Sequence, residues 1–203
     1  LKPVLHFICG DVGDYTSVRI DRRYPILPDG GNVVAMTIIE FPPIETASRD
    51  GVLAFGGDLD VESLVLAYSS GIFPWPSSDS ELIWFAPPKR AILFLKDFHV
   101  SRSLKRTLKS ETYRCTADQD FRGVIEGCAK AKNRKGQKGT WITPAMIDAY
   151  CELHEAGFAH SVECCLGEKL VGGIYGVSIG GMFAAESMFH AETDASKVAL
   201  HHL

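Results

Sequence analysis

The chain reads as an α+β protein, a small α-rich N-terminal lobe joined to an antiparallel-rich mixed core, and three observations predict this. First, its 203 residues are 46% hydrophobic and 23% charged, enough to bury one core or a small lobe beside a larger one. Second, apolar residues recur at helical spacing in three stretches: Val61, Leu64, Val65 and Tyr68; Phe121, Val124, Ile125 and Cys128; and Ile147, Tyr150, Cys151 and His154. Third, residues 159–166, 169–178 and 181–189 are rich in β-branched, aromatic and small residues, with Gly167-Glu168 as a tight turn between the first two.

Each element has its own signals. Residues 1–40 hold short strand-like pieces and the turn formers Pro25, Pro28, Asp29, Gly30 and Gly31, without a chemical motif. Met36 to Pro43 reads as a fresh start, which makes 1–35 an extension of unassigned role and 36–95 the N-terminal lobe. Asp60 is placed to cap the first helix and Gly71 to stop it, feeding the chain into Ile72-Phe-Pro-Trp-Pro76. Leu82 to Phe85 and Ala91 to Leu95 are strand-like and flank Pro87-Pro-Lys-Arg90. Asp118 is expected to open the next amphipathic helix, and Thr143 and Pro144 stand at the N-cap and first position of the third, with Gly157 after it. Residues 96–203 form the second domain. The stretch Ala195 to Leu203 is helix-like to its end, with Thr193 or Asp194 as its cap.

Several classes are excluded. Six cysteines form no Cys-x-x-Cys pair and two are adjacent, which suits neither a zinc site nor a secreted disulfide frame, so no metal is expected. No apolar run approaches the roughly 18 residues of a membrane span, and Leu1 to Cys9 is too short and interrupted for a signal peptide. The expected location is cytoplasmic, without a membrane partner.

Charge is unevenly distributed. From Lys89 to Lys138 there are 14 Lys and Arg against 5 Asp and Glu, a net of +9 in a chain whose total is -4. Arg102, Lys105, Arg106 and Lys109 recur at i, i+3, i+4 and i+7 and share one helix face, opposite Val100, Leu104 and Leu108. A second basic segment, Lys130 to Lys138, follows. Such a pattern is either a solvated face or a surface for a polyanion. Trp75 and Trp141 border the loops near this surface, where an indole can stack on an unpaired base; Trp84 sits in a strand and reads as core.

The single most informative residue is Glu186. It lies between large apolar neighbours, Phe183, Met188 and Phe189, after a glycine-rich run from Gly172 to Gly181. A lone acid there acquires a raised pKa or a cationic partner, and could bind or deprotonate an amine; the plain alternative is an edge carboxylate facing water.

Seven segments together, in order, resemble the leucyl/phenylalanyl-tRNA-protein transferase family. They are Asp50 to Leu59 (DGVLAFGGDL), Ala67 to Trp75 (AYSSGIFPW), His99 to Arg106 (HVSRSLKR), Gly139 to Ile142 (GTWI), Ala159 to Glu163 (AHSVE), Leu170 to Gly176 (LVGGIYG), and Glu186 to Phe189 (ESMF) with Ala195-Ser-Lys197. The resemblance covers about residues 41–203. It implies a C-terminal domain similar to the GNAT acyltransferase fold, working without a cofactor on aminoacyl-tRNA carrying Leu, Phe or Met. The other substrate is then the N-terminal amine of a protein beginning with Arg or Lys, marked thereby for N-end-rule degradation. By the same resemblance Tyr68, Trp75 and Trp141 surround the terminal adenosine, Arg102, Lys105, Arg106 and Lys109 hold the acceptor stem, Ile174, Phe183 and Met188 line the side-chain pocket, and Glu186 is catalytic. The family's Asp-x-Gln relay motif falls beyond residue 203, so the chain as given is expected to be truncated and weakly active or inactive.

Two other readings share parts of this sequence. An acetyl-CoA-dependent GNAT enzyme has the same core but needs a glycine-rich loop leading into a helix, whereas Gly180-Gly181 leads into strand-like residues. A non-catalytic RNA-binding module needs only the basic face and the tryptophans, and leaves Glu186 unexplained.

Overall fold

The structure is a computed structural model in which residues 5–8, 38, 40–76, 82–131 and 140–203 are described. The mixed α+β character holds. Nine strands and five helices run in the order β1 (Leu5–Ile8), β2 (Val52–Phe55), α1 (Val61–Ser69), β3 (Phe73–Pro74), β4 (Ile83–Phe85), β5 (Ala91–Phe94), α2 (Arg102–Lys109), β6 (Arg114–Ala117), α3 (Phe121–Lys130), α4 (Pro144–Glu155), β7 (Ala159–Leu166), β8 (Lys169–Ile179), β9 (Met182–His190) and α5 (Ala195–His202) among the described residues.

The larger sheet has the order β5-β1-β9-β8-β7-β6, and the smaller one β2-β4-β3. Every pairing is antiparallel except β1 with β5, so the large sheet is mixed but mostly antiparallel. Its centre is the meander β7-β8-β9, whose first turn uses Gly167 at φ 59°. Two adjacent glycines of β8 let helices close on both faces. A Cβ at Gly172 would lie 2.7 Å from that of Ala195 in α5, and one at Gly173 would lie 2.9 Å from Val124 Cγ2 in α3. Successive strand residues point to opposite faces, so α5 and α3 cover opposite sides of the sheet.

Two apolar clusters follow from this layering. The first joins α1, α3, α4 and the small sheet, with Leu64, Trp84, Phe121, Ile125, Tyr150 and Tyr175 inside it. The second lies under α2 and α5, with Leu104, Val162, Ile174 and Val198. Trp84, read as core, is buried and its Nε1 donates to the Gly56 carbonyl at 2.9 Å.

Two local expectations shift. The helix expected to open at Asp118, α3, starts at Phe121, because Asp120 and not Asp118 caps it, its carboxylate accepting from Gly123 N at 3.0 Å. Asp118 instead adopts a left-handed φ of 57° and accepts from Ser161 N at 2.8 Å, which fastens it to β7. On α4 the buried side is Met146, Ala149, Tyr150 and Leu153, rotated from the Ile147, Tyr150, Cys151, His154 stripe. Thr143 caps that helix as expected, accepting from Met146 N. The expectations that fall on residues 9–37 and on most of the second basic segment, 132–139, lie outside the described residues.

Candidate functional site

Glu186 is aimed by a defect in the β8–β9 ladder. Tyr175 pairs with Ser187 and Gly176 pairs with Ala185, so Glu186 is the extra residue of a bulge. Bulges re-aim the side chain that carries them, here toward the face covered by α1 and α4. Among the described residues, pairing of β1 with β9 reaches Ala185, one residue short of Glu186.

The residue that meets the carboxylate is Tyr68. Leu64, Ala67 and Tyr68 form the buried side of α1, and the Tyr68 hydroxyl reaches past the apolar layer to donate to Glu186 Oε1 at 2.6 Å. Tyr150 of α4 lies 2.5 Å from the same hydroxyl, with the two rings edge to face. A phenol has one proton to give. Since Tyr68 gives its proton to the carboxylate, Tyr150 donates to Tyr68, making a relay Tyr150 to Tyr68 to Glu186. The second carboxylate oxygen, Oε2, is buried without a hydrogen-bond partner among the described residues.

Electrostatics follow from that shortage of partners. Burial pushes the Glu186 carboxyl up to about 7, against the opposing pull of the Tyr68 hydrogen bond and the charge of Arg90. Burial and then the nearby Glu186 charge hold both Tyr68 and Tyr150 well above the ordinary phenol value, so both remain protonated donors. An acid with a pKa near neutrality can both take and return a proton. The solvent-facing alternative for Glu186 is thereby overturned.

The other expected residues fall into three places. Trp75 and Trp141 stack on one another, with ring centroids 4.8 Å apart and planes 17° apart. That spacing leaves no room for a base between the indoles. Trp141 is buried and Trp75 is partly exposed. Ile174 and Met188 face each other across β8 and β9. Ile174 is buried in the second cluster, Phe183 packs at its margin, and Met188 is 39% exposed. Phe183 also borders a cavity of about 500 Å³ lined with Leu95, Phe98, Met182 and Leu200.

The basic helix forms as its spacing dictates. Ser101 caps it by accepting from Leu104 N at 3.2 Å, Leu104 is buried, and Arg102, Lys105, Arg106 and Lys109 are exposed. Its apolar side packs in the second cluster, on the sheet face opposite Tyr68 and Tyr150.

Asp118, His154 and His160 are the group among the described residues whose ligand atoms approach within 4.8 Å of one another. His160 Nδ1 pairs with Asp118 Oδ2 at 2.8 Å and His154 Nδ1 with the Ala159 carbonyl at 2.8 Å. These bonds fasten the end of α4 and the start of β7 and occupy Nδ1 of both rings.

Two residues of the site escape the sequence reading. Tyr150 is marked there only as part of an apolar stripe, although a phenol on a buried helix face needs a partner for its hydroxyl, and that was its available signal. Arg90 carries no local signal.

Comparison with known proteins bears on this geometry. Residues 92–203 match the family described as leucyl/phenylalanyl-tRNA protein transferase, and residues 57–88 match its N-terminal domain. A leucyl/phenylalanyl-tRNA--protein transferase of Anaeromyxobacter sp. (strain Fw109-5) is 52% identical over 161 residues, 79% of this chain and 68% of that protein. The protein of the same name from Thermodesulfovibrio yellowstonii is 54% identical over 160 residues, 79% of this chain and 65% of its own length. That of Flavobacterium johnsoniae is 48% identical over 159 residues, 78% of this chain and 74% of its own. Matched by the family over more than half its length, and by relatives at about half identity, the chain belongs to the leucyl/phenylalanyl-tRNA protein transferase family.

Proposed function

We propose that this protein transfers Leu or Phe, with Met as a third choice, from aminoacyl-tRNA to the N-terminal amine of proteins beginning with Arg or Lys. The setting is the cytoplasm, where the product enters N-end-rule degradation. No helix among the described residues is long and apolar enough to cross a membrane. The observation that carries the reading is the bulged, half-buried Glu186, whose carboxylate has one oxygen on Tyr68 and the other, inaccessible to water, without a partner among the described residues.

The chemistry asks little of the protein. The ester that joins an amino acid to tRNA is already activated, and an N-terminal amine of pKa about 7.7 to 8.0 is partly neutral near pH 7. The amine nitrogen attacks the ester carbonyl, the amide bond forms, and the bond to the ribose oxygen breaks. The proton lost by the amine must reach that departing oxygen. Glu186, with its carboxyl near 7, is suited to take it and hand it on. Positioning supplies the rest of the rate.

Supporting features fit the remaining substrate. The stacked indoles offer the outer face of Trp75 to the terminal adenosine, and Tyr68 holds Glu186. Phe183 and Met188, with Ile174 buried behind them, lie on the sheet face away from Tyr68, and a large aminoacyl side chain that reaches them past the Glu186 bulge gains about 1.5 to 3 kcal/mol on full burial. The exposed face of α2 meets acceptor-stem phosphates.

The decisive experiment follows labelled Phe from Phe-tRNA to a peptide with N-terminal Arg, using the full product of the gene. Transfer that fails with N-terminal Glu is expected. Acetylation from acetyl-CoA, or RNA binding with no transfer, overturns the reading. Changing Arg102, Lys105, Arg106 and Lys109 together to Ala is expected to flatten the salt dependence of tRNA binding by up to about 3 to 4 in log-log slope. An unchanged slope in filter binding makes α2 an ordinary solvated face.

A further inference from the structure

Strand β6 lies at one edge of the large sheet, and its Cys115 stands directly opposite Cys164 of β7. The Asp118 N–H donates to the Ser161 carbonyl at 3.1 Å, which continues the same register by one residue past Ala117 and Val162. Hydrogen-bonded and non-hydrogen-bonded pairs alternate along an antiparallel ladder. Cys115 and Cys164 therefore occupy a non-hydrogen-bonded position, where Cα atoms are about 4.5 Å apart and side chains are at their closest. A disulfide spans Cα separations of about 4.4 to 6.8 Å, so the backbone spacing already suits one. Side chains do meet across these two strands, since at the next pair the Thr116 hydroxyl donates to Glu163 Oε2 at 2.6 Å.

The two thiols, both free, differ in access. They share the second apolar cluster with Ala195, Val198 and Ala199 of α5, but Cys164 is fully buried and Cys115 is half-buried at the sheet edge. A thiol that solvent reaches, with a second thiol opposite it, is the arrangement of a reversible oxidation site. Charge state agrees with that division. A hydrogen bond from the Cys164 thiol brings Cys115 down from its usual value to about 7, against the opposing effect of burial, while the same bond and then burial hold Cys164 up. The thiolate, which is the attacking form, is thus on the accessible residue.

We propose that Cys115 and Cys164 are a reversible modification site that takes hydrogen peroxide as oxidant and closes to a cross-strand disulfide, fastening the edge strand β6 to β7. The Cys115 sulfur attacks one peroxide oxygen and the O–O bond breaks. The departing hydroxide takes up the proton that Cys115 released on ionising, and Cys115 becomes a sulfenic acid. The Cys164 sulfur then attacks the Cys115 sulfur, the S–S bond forms, the S–O bond breaks, and the hydroxyl leaves with the Cys164 proton as a second water. The thiols give up two electrons and the peroxide takes both. An external dithiol reverses the bond by exchange. Capture by Cys164 stops Cys115 short of the irreversible sulfinic acid. The pair lies on the α5 face of the sheet, away from Tyr68 and Tyr150, so it goes beyond the transfer reaction and does not depend on it.

Peptide mapping of the full chain after brief exposure to dilute peroxide, with remaining thiols blocked before digestion, tests the site. The expected product is a crosslinked peptide joining Cys115 to Cys164 that dithiothreitol removes, with Cys151 and Cys165 recovered as free thiols. A bond from either residue to another cysteine, a bond between chains, or oxidation of Cys151 or Cys165 ahead of Cys115 overturns the proposal. Cys164→Ser removes the captor, so the same exposure is expected to carry Cys115 on to the sulfinic acid, and a Cys115 that stays reduced there overturns it as well. If that variant does not fold, Cys164→Ala gives the same measurement.

A readout of stability completes the test. The closed bond constrains about 50 residues of the unfolded chain, so the urea midpoint of the oxidised parent is expected to rise by about 1 M or more over the reduced one. Cys115→Ser is expected to show no difference between peroxide-treated and untreated samples. An oxidised parent whose midpoint is unmoved or lowered overturns the proposal.

Discussion

Glu163 and Glu186 lie on the same large sheet, and the fold treats them in opposite ways. Glu163 on β7 is 1% exposed and accepts three hydrogen bonds, from the Thr116 hydroxyl at 2.6 Å, the Ser161 hydroxyl at 2.5 Å and Gln119 N at 3.3 Å. Among the described residues, Glu186 accepts one bond and leaves an oxygen idle. The first carboxylate is fully engaged in joining β6, β7 and the entry to α3. The second retains unused basicity and is held at a place where the ladder is interrupted. A buried acid with all its partners is architecture, and one with a missing partner has capacity left for a substrate.

The comparison is broken most directly by rate. Glu186→Gln keeps the size and the Tyr68 contact but cannot accept a proton, so turnover should fall by about 10³-fold, in the middle of the range for a general base. Glu163→Gln should leave turnover per folded molecule near that of the parent. Comparable losses in the two variants, measured by single-turnover transfer, would erase the distinction.

Stability against pH sharpens it next. Glu186 has a folded pKa of about 7, above its ordinary value of 4.5, so the native state holds the proton more tightly than the unfolded chain. Its contribution is therefore complete below about 4.5 and is lost as pH rises through about 7, a change of about 3 kcal/mol. Urea melts of the parent between these values should show that loss, and Glu186→Gln should remove it. An unaltered pH slope in the variant would mean that Glu186 is better solvated than its surroundings imply.

The third test reverses the roles. Glu163→Ala strands three donors and should cost about 2 kcal/mol, reduced from the full sum because the Thr116 and Ser161 hydroxyls can turn toward other acceptors. Glu186→Ala frees Tyr68 to reorganise its bond with Tyr150 and should cost less at neutral pH. A larger loss in Glu186→Ala, in the same melts, would make Glu186 the structural residue of the two.

How this contrast stands in the sequence is instructive. The two glutamates occur in equally recognisable segments, Ala159 to Glu163 and Glu186 to Phe189, and both have apolar neighbours, Val162 and Cys164 beside Glu163 and Phe183, Met188 and Phe189 about Glu186, so local composition does not separate them. The bulge is not legible, because register depends on a partner strand and each strand taken alone reads as an unbroken run. The helical stripes of α1 and α3 and the β7-β8-β9 meander are legible because their periods persist for eight residues or more. The strands β2, β3 and β6 are four residues or fewer and carry too little period to register. Asp118 and Asp120 compete for one cap, and local pattern alone does not arbitrate between them. Arg90 meets Gly71 and Phe73, neither adjacent in sequence, so only the fold reveals its contacts.

The smallest expected effect tests the relay itself. Tyr68→Phe removes the hydrogen bond that favours the ionised Glu186, so the carboxyl rises further and the acid limb of kcat/KM moves to higher pH, by about one unit. Tyr150→Phe leaves that bond in place and removes only the donor behind it. Tyr68 then becomes a slightly weaker donor to the carboxylate, and the limb should move the same way by a few tenths of a unit, as expected when one link of a polarised chain is lost. Equal shifts in the two variants would show that Tyr150 acts on Glu186 directly. A shift in Tyr150→Phe alone would mean that Tyr68 turns its proton toward Tyr150, reversing the order of the chain and leaving the carboxyl without a donor.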